Sequence, residues 1–228
     1  APGAAPGASG DSPEPTAAQV LKRPAGKQAA ASGTMPNGRC TGFALVEEGD
    51  GACLLAQTAD LPPILYAFGD FDCVLELETP AGKAMVYDPD GRLCPIGFNT
   101  AGLGVGVFNL HQGHTEGFEK PGLSAQAVIW ELILGQHTLD SALAWLRGLP
   151  TAPMCGSALL LADATGAVTV ELNAAGPPLI SDRFGAGEPI ARANHPAHDG
   201  SELGFGDSGS ARRSSEARRA ALLLRLPR

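Results

Sequence analysis

From residue 40 onward, apolar and polar positions alternate with the two-residue period of strands. The run CTGFALV, a GDG turn and ACLLAQTAD predict a β-hairpin that turns at Gly49 to Gly51, with Cys40 opening its first strand. Further strands are expected at 73–79, 83–88, 96–110, 157–163 and 167–173. Two stretches change to helical spacing: Leu123, Val128, Ile129, Leu132 and Ile133 in the first, Leu139, Leu143, Leu146 and Leu149 in the second. Thr138 suits the N-cap of the second helix, and Gly148 with Pro150 ends it. Residues 175–210 read as loop, and SSEARRAALLLRL at 214–226 predicts a third helix. Strands, then paired helices, then strands describe a layered α+β domain rather than alternating βαβ units. The last helix has an apolar face and no strand after it, so the chain is expected to be cut short at Arg228.

The texture before residue 40 is different. Pro, Gly, Ala and Ser crowd residues 1–38, with almost no large apolar side chain before Val20 and Leu21. Such a segment cannot bury enough surface to order itself. The expected organisation is a flexible low-complexity leader or propeptide at 1–39, followed by one domain over 40–228 that is incomplete at its C-terminal end.

Charge narrows the class of partner. The formal net charge of -8 argues against nucleic acid, because phosphate contacts need clustered Lys and Arg. The basic run Arg212, Arg213, Arg218 and Arg219 fits a solvated helix face. No apolar stretch is long enough to span a bilayer, and the first residues lack a basic-then-apolar signal pattern, so a soluble, cytoplasmic protein is expected.

Five cysteines, Cys40, Cys53, Cys73, Cys94 and Cys155, form no C-x-x-C pair and no zinc-like spacing with the five histidines. Neither a metal nor a disulfide framework is expected. The last four sit in apolar surroundings and read as small buried hydrophobes. A cysteine–histidine pairing through His195 or His198 is the weakest of the catalytic readings, since His198 follows Pro196 in a polar loop that suits a solvated histidine.

Cys40 poses a chemical question. A thiol attacks as thiolate, yet no histidine precedes His111 in the chain. Cleavage of the preceding peptide bond would free an α-amine of pKa roughly 7.7 to 8.0 beside the thiol, able to take its proton near neutral pH. The segment TMPNGRC suits such a cut, because Pro36, Asn37 and Gly38 signal a turn before the strand. By this local pattern alone, an ordinary strand cysteine fits better.

Blocks spread along the chain change that balance. CTGFAL, LLAQTADLP, GFNTAGLGVGVFNL, SALAWLRGLP, ALLLADATGAVTVEL and RANHP, in this order over about residues 40 to 225, resemble the acyl-coenzyme A:isopenicillin N acyltransferase-like family, peptidase family C45. The resemblance implies the four-layer αββα sandwich of the N-terminal-nucleophile hydrolases and a precursor that cuts itself between Arg39 and Cys40. It implies that Cys40 is the nucleophile, that Asp60 holds the new α-amine, and that the Asn194 amide donates to the oxyanion beside the backbone N–H of Leu61. Thr41, Asn99 and Arg218 match supporting positions. For Asn99 a structural turn with Gly102 stays open, and for Arg218 the neighbours Arg212, Arg213 and Arg219 compete.

The expected activity is an autoproteolytic acyltransferase or amidohydrolase acting on a small-molecule amide or thioester. No resident cofactor is expected, and acyl-coenzyme A enters only as an acyl donor. The two self-cleaved chains would stay associated, and homo-oligomerisation is left open. Two other readings stand beside this one. The bile salt hydrolase and penicillin V acylase family shares the fold, although it usually has an arginine shortly before the aspartate, where this chain has Gln57 and Thr58. The other alternative is a non-catalytic binding module on the same fold.

Overall fold

A computed structural model of the chain describes residues 39–49, 51–60, 72–79, 82–88, 96–110, 122–150, 156–172, 176–198 and 209–227. The expected hairpin is there: β1 (Arg39–Val46) and β2 (Cys53–Asp60) run antiparallel with Cys40 opposite Ala59 and Arg39 opposite Asp60. Gly49 and Gly51 turn it with φ of 104° and 71°, a region that glycine enters without a Cβ clash. A short strand, β10 (Ile190–Arg192), pairs with the other edge of β1, giving a three-stranded sheet in the order β10-β1-β2.

The second sheet has seven antiparallel strands in chain order, β3 (Cys73–Thr79), β4 (Gly82–Asp88), β5 (Ile96–Asn99), β6 (Gly104–Asn109), β7 (Ser157–Asp163), β8 (Gly166–Leu172) and β9 (Leu179–Ile180). Three sequence expectations are corrected here. The run 96–110 is two strands, because Gly102 at φ 107° and the bond from its N–H to the Asn99 carbonyl turn the chain between them. The stretch 175–210, expected as loop, contains β9 and β10, each too short for alternation to show. The last helix, α3 (Gly209–Leu223), begins before residue 214 and closes before 226.

Alternation sorts the central strands into two cores. Val105, Val107, Leu159, Leu161, Val168, Val170 and Leu172 face α1 (Ala125–Gly135) and α2 (Leu139–Arg147). Each helix supplies the face its spacing predicts, with Val128, Ile129, Leu132 and Ile133 fully buried on α1. The intervening residues, Phe108, Ala158, Leu160, Ala162 and Ala167, pack instead with Cys40, Ala44 and Ile190. β7 and β8 are therefore buried at every position. α3 contacts β1 and β10.

Helix ends are satisfied as the sequence suggests. Thr138 and Ser141 form a reciprocal capping box at α2, and Gly148 caps its C-terminus. Asp163 adds a buried acceptor, taking the Leu139 N–H at 2.7 Å. Among the described residues, no helix is long and apolar enough to cross a membrane.

Candidate active site

Cys40 sits where β1 lies against β6, at 6% exposure. Glycine permits that closeness: a Cβ on Gly42 would lie 2.6 Å from the Ala56 oxygen and 2.8 Å from the Phe108 ring. Continuing the β1–β10 register by two residues sets Asn194 opposite Cys40. The Asn194 side chain replaces the next ladder bond, its Oδ1 accepting the Cys40 N–H at 2.8 Å. Asn194 is itself fully buried, and its Nδ2 donates to the Asn109 carbonyl at 2.8 Å.

Arg218 reaches in from α3. Its Nη1 donates to the Cys40 carbonyl at 2.5 Å and to Thr41 Oγ1 at 2.5 Å, and its Nη2 to Asn194 Oδ1 at 3.0 Å. The competing arginines go elsewhere: Arg219 bonds the Ala191 carbonyl at 2.9 Å, and Arg212 pairs with Glu216 on the exposed side of the helix. The helix is oriented in part by His195, whose Nδ1 lies 2.8 Å from the buried Ser215 Oγ.

The electrostatics keep the thiol protonated. Burial pushes the Cys40 pKa up, and the nearby Asp60 charge adds to this. Opposing them, the nearby Asn194 side chain and Asn109 main chain favour the thiolate, with a smaller contribution from Arg218. A base is therefore needed before this sulfur can attack. His195 is not suited to the task, because burial, with Arg192 and Arg219 nearby, lowers its pKa to about 4, and its Nδ1 bonds Ser215. The His198 ring lies 3.2 Å from Thr169 Oγ1.

The other expected residues divide. Asp60 ends β2 opposite Arg39, so it is a diagonal neighbour of Cys40; it is exposed, and the Cys40 N–H bonds Asn194. Arg39 and Thr41 flank Cys40 on β1. Asn99 is not brought to this site. It lies on the helix-covered face, where its Nδ2 donates to the carbonyls of Ile133 (2.9 Å) and Gln136 (2.7 Å) and its Oδ1 accepts the Leu103 N–H. It closes the C-terminus of α1, a tertiary task that its turn motif did not reveal. Leu61 lies outside the described residues, as do Cys94 and Cys155.

Cys53 corrects the expectation of a buried cysteine. It is exposed at the start of β2, because β2 is an edge strand and α3 packs on β1 and β10 instead. Cys73 is half-buried. Among the described residues, no group of three or more His, Cys, Asp or Glu is placed to hold a metal ion.

Two contributors were missed in the sequence. Asn109 acts through its main chain, for which no side-chain signal exists. Gln57, whose amide bonds both main-chain groups of Val107 two residues from Asn109, does carry a signal, a polar side chain at a core-phase position of β2, and such a group needs a partner.

No protein-family model matches this chain, and no curated protein does. Among solved structures, penicillin V acylase from Agrobacterium tumefaciens overlaps 70% of this chain and 54% of its own, at a TM-score of 0.46 and 19% identity. The chain thus spans about half the length of that structure. So loose an overlap assigns neither an activity nor a site residue.

Proposed function

We propose that the chain cuts itself between Arg39 and Cys40 and then uses the new N-terminal cysteine to accept acyl groups from a small amide or thioester. The observation that carries this reading is the convergence on Cys40 of Asn194, Asn109 and Arg218, three residues distant in sequence, around a buried thiol. A structural strand cysteine needs no such company.

In the first stage the sulfur adds to the Arg39 carbonyl, the peptide C–N bond breaks with a proton going to the Cys40 nitrogen, and water hydrolyses the resulting thioester. The freed α-amine then acts as base, with a pKa of roughly 7.7 to 8.0 for such a group. Asp60, beside residue 39 on the ladder, holds that amine in its working orientation. In the second stage the thiolate attacks the substrate carbonyl, and the amine returns its proton to the leaving group.

Two donors suit the oxyanion. An amide NH2 has two hydrogens, so Asn194 can hold the Asn109 carbonyl with one and face the reacting atoms with the other. The second role falls to the Asn109 N–H, which leaves β6 on the side away from β7, where the Asn109 carbonyl meets Asn194. Losing one such donor typically costs two to three orders of magnitude in rate. Arg218 keeps the Cys40 carbonyl and Thr41 in place once the chain before them is gone.

The helices α1 and α2, the seven-stranded sheet, the three-stranded sheet and α3 follow one another in contact, which supports the αββα sandwich of N-terminal-nucleophile hydrolases. No resident cofactor enters this scheme. Acyl-coenzyme A can serve as donor, and the released leader segment can stay associated with the domain.

Mass spectrometry of the purified chain tests the reading. A fragment beginning at Cys40 is expected, together with an intact chain for Cys40→Ala, and incubation with activated esters should leave an acyl group on Cys40 alone. Self-cleavage that persists in Cys40→Ala would sink the proposal, as would a parent chain that stays uncut and takes up no acyl group.

A further inference from the structure

The edge of β6 explains how a main-chain group comes to face the thiol. Among the described residues, β5 pairs with β6 only at Val105 and Gly104. On the other edge, β7 continues to the end of β6, where the Leu110 N–H reaches the Gly156 carbonyl at 3.0 Å. Antiparallel ladders bond alternate residues to one neighbour, so the groups of Val107 and Asn109 point away from β7. Unmet N–H and C=O groups between two packed sheets are costly, so each pair needs a partner.

Gln57 meets the first pair. Its Oε1 accepts the Val107 N–H at 2.7 Å and its Nε2 donates to the Val107 carbonyl at 2.5 Å, so one side-chain amide takes the place of a missing strand residue. Gly106 gives the amide its space, since a Cβ there would come within 2.9 Å of Gln57 Oε1. The second pair, on Asn109, faces the site: its carbonyl accepts from Asn194 Nδ2, whose Oδ1 holds the Cys40 N–H, and its N–H leaves the strand on that same side.

We propose that Gln57 is a positioning residue, which by taking both backbone groups of Val107 holds the open edge of β6 so that Asn109 presents its N–H to the Cys40 sulfur. Gln57 bridges the two sheets, tying the hairpin of the nucleophile to the strand that carries the donor. The assignment rests on the reading of Cys40 as nucleophile for its importance, but its test needs no substrate.

Gln57→Met keeps the length of the side chain and removes both hydrogen bonds. The readout is the rate at which iodoacetamide alkylates Cys40 in the folded protein as purified at pH 8, followed by mass spectrometry on the Cys40 peptide and compared between species in the same state of cleavage. Loss of one N–H from the thiolate is expected to slow Cys40 about tenfold. Exposed Cys53 should react at its parental rate and serves as internal control. Gly106→Ala, which presses on the Gln57 amide without removing it, should slow Cys40 by roughly threefold.

A merely structural role would loosen the sheets and speed alkylation, so a Cys40 rate at or above the parental one in variants of unchanged circular dichroism overturns the assignment. If Gln57→Met does not fold, the Gly106→Ala rate decides alone. Unchanged alkylation leaves the nucleophile reading standing, whereas self-cleavage that persists in Cys40→Ala removes that reading and leaves the Gln57 geometry as found.

Discussion

The two faces of the seven-stranded sheet are built on opposite principles. Toward α1 and α2 the contact is almost wholly aliphatic, with Leu159, Leu161, Val168 and Leu172 meeting Val128, Ile129, Leu132 and Leu146. Toward the three-stranded sheet the apolar contact is smaller, and buried polar groups surround it: Glu171 and Arg192 as an ion pair, Asn194, His195 and Ser215. Burying an aliphatic side chain stabilises a fold by about 1.5 to 3 kcal/mol. A buried ion pair returns little beyond its desolvation cost. The helix-covered face therefore holds the fold together, and the other face spends part of that stability on orienting groups near Cys40.

Three experiments sharpen the comparison, the first with the largest effect. Leu159→Ala, in the aliphatic core at 0% exposure, should cost about 4 kcal/mol by denaturant unfolding through lost transfer energy and a residual cavity. The same readout on Leu55→Ala, only partly buried on the opposite face, should give less than half of that. Equal losses would erase the distinction between the two cores.

The second uses pH, because only the polar face carries a buried histidine among the described residues. Above about pH 6.5 His195 is neutral whether the chain is folded or not, so stability does not depend on it. As pH falls toward its folded pKa of about 4, the unfolded chain binds a proton that the folded chain refuses, and stability declines. By pH 5 the loss is on the order of 2 kcal/mol. Urea midpoints of parent and His195→Gln should therefore converge between pH 7 and pH 5 as the parent loses ground, and parallel curves would show that His195 is not buried in neutral form.

The smallest effect is expected at Asn99. Asn99→Ala strips two acceptors of their donor at the end of α1 and should cost about 1 to 2 kcal/mol in stability. Cys40 alkylation should not change, since Asn99 lies on the far face. A slowed Cys40 would show that the helix-covered face reaches the site after all.

How far the sequence could be read depends on the length of each element. β3 and β7 have the bounds that the sequence predicts, and the N-cap of α2 was visible in Thr138. β10 has three residues, too few for a period, yet it brings Asn194 to Cys40. Arg218 was one of four arginines on one segment, and only the packing of α3 against β1 and β10 separates it from Arg219. Asn99 and Asn109 lie at the ends of the adjacent strands β5 and β6; one closes a helix through its side chain, the other meets Asn194 through its backbone carbonyl.

By itself the sequence determined the strands and helices long enough to repeat a period, the hairpin that sets residue 60 near residue 40, and the cysteine worth questioning. Tertiary structure alone decided which face each sheet turns to the other, which arginine enters, and which backbone edge is left open for Gln57 and Cys40. Hydrophobic periodicity is a local property that neighbours along the chain express. The partners of a buried polar group are chosen by whatever the packed layers bring within about 3 Å of it.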